Sequence, residues 1–170
     1  MDLFQALKGS LVFGRNLYKH LDKLGIDFKS LYLDHICFRV ASPMEYEAMK
    51  SFLLENNQLL VEHQVQSRLI ATFKLSSPVL FPDRTIDVLE LPAPKVGSPY
   101  PTGYEHIEFV WPDQLEQLLE LYPHLDWDKK GLSKPINRDL RLALDSSCSV
   151  KFHEQSLEQV IALEKHGKHE

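Results

Sequence analysis

The feature that most constrains this chain is a short pattern that occurs twice. Asp34-His35-Ile36-Cys37-Phe38-Arg39-Val40 reads acid, His, Ile, any residue, Phe. Glu105-His106-Ile107-Glu108-Phe109-Val110-Trp111 repeats that order 71 positions later. Both alternate with a period of two, the mark of a β-strand. Ile36, Phe38 and Val40 share one face of the first stretch; His35, Cys37 and Arg39 share the other. Ile107, Phe109 and Trp111 likewise stand opposite His106, Glu108 and Val110. Equivalent strands of a repeat would aim one histidine each at the same place, which is the seed of a metal site.

The residues after each pattern repeat as well. Ser42-Pro43 opens a helix, with Ser42 as N-cap, Pro43 in the first turn and Glu45 closing a capping box. That helix is expected to reach Asn56-Asn57 with Tyr46, Met49, Phe52 and Leu53 inward. Strands are expected at 59–65, 68–75 and 85–91, with a turn-rich connection over 77–84. After the second pattern, Pro112-Asp113 starts a helix carrying Leu115, Leu118, Leu119 and Tyr122, stopped by Pro123. A weak strand at 125–129 and strands at 139–145 and 148–154 follow. Ser156 then caps a closing helix that reaches Lys165, with Gln159 at its third position.

Each half is therefore strand, helix and three strands. Antiparallel strands with one helix per module give an α+β domain. The expected fold is two paired βαβββ modules forming a curved mixed sheet around a cleft, with an N-terminal helical arm. The single domain 1–170 divides into the arm (1–30), the first module (31–94), a Gly- and Pro-containing linker (95–103), the second module (104–155), and a C-terminal helix and tail (156–170). In the arm, Leu3, Phe4, Leu7, Leu11, Phe13, Leu17, Leu21 and Leu24 recur mostly at three- and four-residue steps. Gly9-Ser10 interrupts the run, with Ser10 as a cap, and Gly25 suits a helix C-terminus. Such a stripe is a packing face.

Composition narrows the partners. The formal net charge is −5, and Lys and Arg are scattered, which argues against nucleic acid. No apolar run approaches a membrane span, and Met1-Asp2-Leu3-Phe4-Gln5 has no signal-peptide character. Cys37 and Cys148 form no disulfide framework, so a cytoplasmic location and a small-molecule partner are expected.

Ligand candidates belong at corresponding places of the repeat. His35 and His106 begin the two modules, and Glu90 ends the last strand of the first. The matching end of the second is Lys151-Phe152-His153-Glu154. Mixed nitrogen and oxygen donors suit a divalent ion. If Val150 and Phe152 pack under the helices, Ser149, Lys151 and His153 face the site, which favours His153 as fourth ligand. A slip of one residue would bring Glu154 in instead. Glu90 shares its face with Ile86 and Val88, opposite Asp87, Leu89 and Leu91, so alternation alone leaves open which face is wet.

Asp34-His35-Ile36, Leu89-Glu90-Leu91-Pro92, Glu105-His106-Ile107-Glu108 and Lys151-Phe152-His153, in this order and spacing, resemble the vicinal oxygen chelate superfamily. That group includes glyoxalase I, extradiol dioxygenases and bleomycin-resistance proteins. Within it the chain resembles the YecM-like family of bacterial proteins, over nearly its whole length. The resemblance implies paired βαβββ modules and a divalent metal (Ni, Zn, Fe or Mn) held by His35, Glu90 and His106. The last position departs, because the superfamily usually has Glu where His153 precedes Glu154.

A metal with open positions can bind adjacent substrate oxygens and stabilise an enolate. Two His and one carboxylate also suit Fe(II) and oxygen activation. Glu108, on the face of His106, is the candidate base. Arg39 and Lys151 are candidates for holding an anionic substrate. The expected activity is that of a small-molecule isomerase, lyase or oxygenase. The rival expectation is a non-catalytic small-molecule-binding module of the same fold.

Overall fold

Ser10–Leu24 forms a helix, labelled α1, of a computed structural model that describes residues 5–167 except 6 and 66. Leu3 and Phe4 of the expected arm, and the tail from 168 onward, lie outside the described residues. Ser10 begins the helix, but its hydroxyl donates to the Leu80 carbonyl at 2.8 Å instead of capping. Gly25 ends it at φ 72°. The amides of Gly25 and Ile26 reach back to the carbonyls of Asp22 and Leu21, both at 3.1 Å. This paired closure needs a left-handed residue, which glycine supplies at least cost.

The other helices are α2 (Pro43–Asn56), α3 (Glu116–Leu121) and α4 (Leu157–Gly167). The strands are β1 (Tyr32–Arg39), β2 (Gln58–Val65), β3 (Arg68–Leu80), β4 (Thr85–Pro92), β5 (Gly103–Val110), β6 (Trp127–Asp128), β7 (Asp139–Ala143) and β8 (Ser149–His153). None of the described helices is long and apolar enough to cross a membrane. The chain forms two compact units, one of 1–16 with 35–105 and one of 17–34 with 106–170. It therefore passes between units within α1 after Asn16, then just before His35 and again just before His106.

In the first unit the strand order is β2-β3-β4-β1. β3 runs antiparallel to both β2 and β4, but β1 pairs with β4 in parallel. The sheet is therefore mixed, as expected. Parallel neighbours need a long connection, and α2 with two intervening strands supplies it. The expected turn over 77–84 is corrected: β3 continues through Pro78 to Leu80, with a register shift between Lys74 and Val79. A bulged stretch tolerates a proline that has no amide to donate. Ser42 accepts the Glu45 amide at 3.2 Å and Glu45 accepts the Ala41 amide at 3.0 Å, so the expected cap forms. Tyr46, Met49 and Leu53 are the buried side of α2. Phe38 meets Tyr104 edge-on at 5.1 Å, and Phe13 stacks on Tyr104 at 5.6 Å.

In the second unit the order is β5-β8-β7-β6, again with a parallel pair, β5 with β8. Its core is a relay of rings. Phe28 meets Phe109 at 5.9 Å, Phe109 meets Phe152 at 5.7 Å, and Phe152 meets Trp127 at 5.9 Å. Leu17, Leu21 and Phe28 are fully buried, so this part of the arm is core material. α3 begins later than Pro112, and no side chain caps it. At α4, Ser156 and Gln159 exchange amide bonds at 3.3 and 3.1 Å, a complete capping box.

Candidate metal centre

In the first unit, register resolves what alternation left open. Cys37 of β1 lies opposite Glu90 of β4, and Ile36 opposite Leu89. Paired residues of neighbouring strands point to the same side, so Glu90 shares the face of His35 and Cys37. The His35 Nε2 stands 3.4 Å from Glu90 Oε2, with the imidazole 2% exposed. Thr72 of β3 lies opposite Glu90 and is buried. Cys37 is a buried free thiol on this face.

In the second unit, His106 lies opposite Ser149, Glu108 opposite Lys151, and Val110 opposite His153. His106 Nε2 stands 3.0 Å from Glu108 Oε1. Lys151 Nζ donates to the same oxygen at 2.6 Å and stands 3.4 Å from His106 Nε2. That ring nitrogen can donate to the carboxylate or accept from the ammonium, but one tautomer cannot do both.

Aligning the two registers shows which positions correspond. His35 matches His106, Cys37 matches Glu108, and Glu90 matches Lys151. The repeat therefore has a lysine where the first unit has its carboxylate. The second unit's carboxylate sits on the histidine strand instead.

Within the second unit the two strand-end candidates have partners of their own. His153 lies four residues beyond Ser149, about 13 Å along the strand. Its Nε2 is 3.4 Å from Asp34 Oδ2, and its Nδ1 is 3.1 Å from the Asn137 side-chain amide. Asp34 also accepts the Leu157 amide at 2.8 Å, so it caps α4 from a distant strand. Glu154 accepts from the Arg138 guanidinium at 2.9 and 2.7 Å. Arg138 in turn reaches Glu116 at 2.6 Å. These contacts hold Arg138 charged and pull the Glu116 carboxyl below its ordinary range. Asp34 is the functional-looking residue that sequence reasoning passed over. The acid before each histidine in the repeated pattern was the available signal.

Arg39 continues the His35–Cys37 face and is half-buried, its guanidinium 4.2 Å above the Tyr100 ring. Tyr100 lies in the linker, which Thr102 fastens to α2: its hydroxyl donates to Glu45 and accepts the Ala41 amide at 2.9 Å. The Thr102 hydroxyl and the Ala41 amide lower the Glu45 pKa.

The donor chemistry fits a divalent cation in part. Ligand atoms roughly 2.1 Å from a metal and at right angles lie about 3 Å apart. The His35–Glu90 and His106–Glu108 couples, at 3.4 and 3.0 Å, match that spacing. Imidazole with carboxylate suits Ni, Zn, Fe or Mn. Lys151 counts against the second couple, because its ammonium would repel a cation at His106 Nε2 unless it swung away.

The family model described as YecM protein matches residues 3–164. Protein YecM of Escherichia coli is 29% identical over 157 residues, covering 84% of each chain. An uncharacterized Haemophilus influenzae protein is 35% identical over 109 residues, 63% of this chain and 56% of that one. The chain thus matches little more than half the length of that relative. A solved structure titled "Structural Genomics, Protein EC4020" superposes with TM-score 0.82 at 27% identity, covering 96% of this chain and 94% of that one. Streptomyces coelicolor methylmalonyl-CoA epimerase, in complex with 2-nitronate-propionyl-CoA, shares the fold with TM-score 0.55 at 14% identity, over 75% of this chain and 97% of that one.

Proposed function

The chain belongs to the YecM protein family, and from that premise we propose that it is a divalent-metal protein of the vicinal oxygen chelate type acting on a small molecule. In this reading His35, Glu90 and His106 are the ligands and Glu108 is the base. One observation carries it: each unit sets a buried histidine, from the equivalent position of its own first strand, beside a carboxylate at ligand-like spacing. A bound metal would supply Lewis acidity toward a substrate oxygen. Glu108 would take the proton from the carbon beside it, and Lys151 would hold that carboxylate in place through the 2.6 Å contact. An isomerase or lyase uses such a proton transfer, and we favour these over an oxygenase for that reason. The epimerase of the same fold was captured with an acyl-CoA analogue, which suits the expectation of a small-molecule ligand.

The test is metal analysis of protein purified without a histidine tag, followed by titration of the stripped protein. We expect one divalent ion per chain, lost in both His35→Ala and His106→Ala and retained in His153→Ala. Stoichiometric metal that survives both of the first two substitutions would refute the site.

Lys151 supports a second reading, a metal-free binding module. Its ammonium already neutralises Glu108 and approaches the nitrogen that a metal would need. Wild-type protein with no affinity for any of the four metals, yet with saturable small-molecule binding, would favour it.

A further inference from the structure

Tyr100 draws two guanidinium groups to one ring. Arg39 lies over its face, 4.2 Å from the centroid. Arg68, the first residue of β3, approaches its hydroxyl at 3.3 Å and the Ala93 carbonyl at 3.4 Å. All three belong to the first unit. Arg39 Nε is buried and has no hydrogen-bond partner among the described residues. Neither arginine has a carboxylate partner among those residues either, in a chain where acids outnumber bases 24 to 19. Two cations converging without a counter-charge repel each other and leave donors unsatisfied, an arrangement that an anion relieves. Planar guanidinium groups match oxyanion geometry, and stacking on an aromatic ring pre-orients one of them.

We propose that Arg39, Arg68 and Tyr100 bind the terminal oxyanion, phosphate or carboxylate, of a small-molecule ligand. Arg39 shares the β1 face with Cys37, which pairs with Glu90. It lies two residues beyond Cys37, about 7 Å along the strand. The ligand's charged end is thus set several bonds from a reacting end at His35 and Glu90. That placement of the reacting end rests on the metal-site reading above; the oxyanion site does not. The linker fixes Tyr100 between the arginines, since its neighbour Thr102 is tied to both Ala41 and Glu45.

The experiment is titration of the chelator-treated full chain with inorganic phosphate and, separately, succinate, by calorimetry in a buffer free of both. We expect saturable binding of at least one anion, weakened about tenfold in Arg39→Gln and in Arg68→Gln, the loss of one charged hydrogen bond. The preferred anion identifies the phosphate or carboxylate source. Thermal melts identify which variants are folded, and either folded variant suffices as a test. Binding of neither anion, or binding unchanged in a folded variant, overturns the proposal. Anion binding by a protein that takes up no metal would refute the metal reading and leave this one standing.

Discussion

The two units share a backbone plan and differ in what they hang on it. Each places a histidine on the strand that pairs in parallel with the last strand of its module. Beyond that residue they diverge. The first unit continues with Cys37 and faces Glu90; the second continues with Glu108 and faces Lys151. The first unit sets its carboxylate beside His35, and the second sets its own beside both His106 and Lys151. A repeated register fixes where side chains point, while their chemistry stays free to drift. The first unit presents a histidine–carboxylate couple, and the second presents a carboxylate already held by an ammonium.

The second unit also has the Asp34–His153 pair, whose strand counterpart to His153 in the first unit is Pro92. Asp34 is fully buried and serves both the imidazole and the α4 amide. Asp34→Ala should therefore cost about 1.5–3 kcal/mol, the range for losing a buried hydrogen bond to a charged group. Urea unfolding measures the cost, and hydrogen exchange should locate early opening at β8 and α4, with β3 and β4 staying protected. A loss below about 1 kcal/mol would mean that the pair contributes no more than an ordinary hydrogen bond.

Exchanging the divergent residue tests the comparison at the candidate centre. Lys151→Glu restores an acid at the counterpart of Glu90 and removes the competing ammonium. Divalent-metal affinity should rise by about 10- to 100-fold, and Lys151→Gln by less, because it removes the charge without adding a ligand. An unchanged or reduced affinity would show that Lys151 does not stand at a ligand position.

The smallest effect separates the two hairpin turns. Asp145 accepts from the Ser147 amide at 2.6 Å, the Ser147 hydroxyl at 2.8 Å and the Cys148 amide at 2.8 Å. The Ser147 amide leads in lowering its pKa, from 3.8 to about 2. The folded value is below the unfolded one, so the stabilisation is complete above about pH 4 and disappears as pH falls toward 2. With the side chain 39% exposed, solvent screening limits it to about 1 kcal/mol. Asp145→Ala should lose that amount at pH 7 and match wild type near pH 2. Asp83, at the corresponding turn, pairs with Arg84 at 2.7 Å on the surface, and Asp83→Ala should change stability by a few tenths of a kcal/mol. Equal losses at the two turns would erase the contrast.

Much of this fold was legible because it rests on local rules. Ser42 with Glu45 and Ser156 with Gln159 form the caps their spacing announced, and Gly25 closes α1 as its conformational freedom suggested. Alternation placed the histidine strands. It failed where a strand kept its pairing across a proline, at Pro78, and where no local signal marks direction, as in the parallel pairing of β1 with β4. The candidate centre was legible at His35, Glu90 and His106 as residues but not as geometry. Alternation could not orient Glu90, since Leu89 and Leu91 on its other side are as buried as Ile86 and Val88.

By itself the sequence determined that two strands of one kind recur, each with a histidine two residues before a residue of free choice. It determined the caps, the apolar faces and the acids and bases available. Tertiary structure alone decided which of them meet. Glu108 meets Lys151, His153 meets Asp34, and Glu154 meets Arg138, because inter-strand register is set by packing across residues far apart in the chain. A shift of one position would reverse every one of those partners, and no local pattern carries that information.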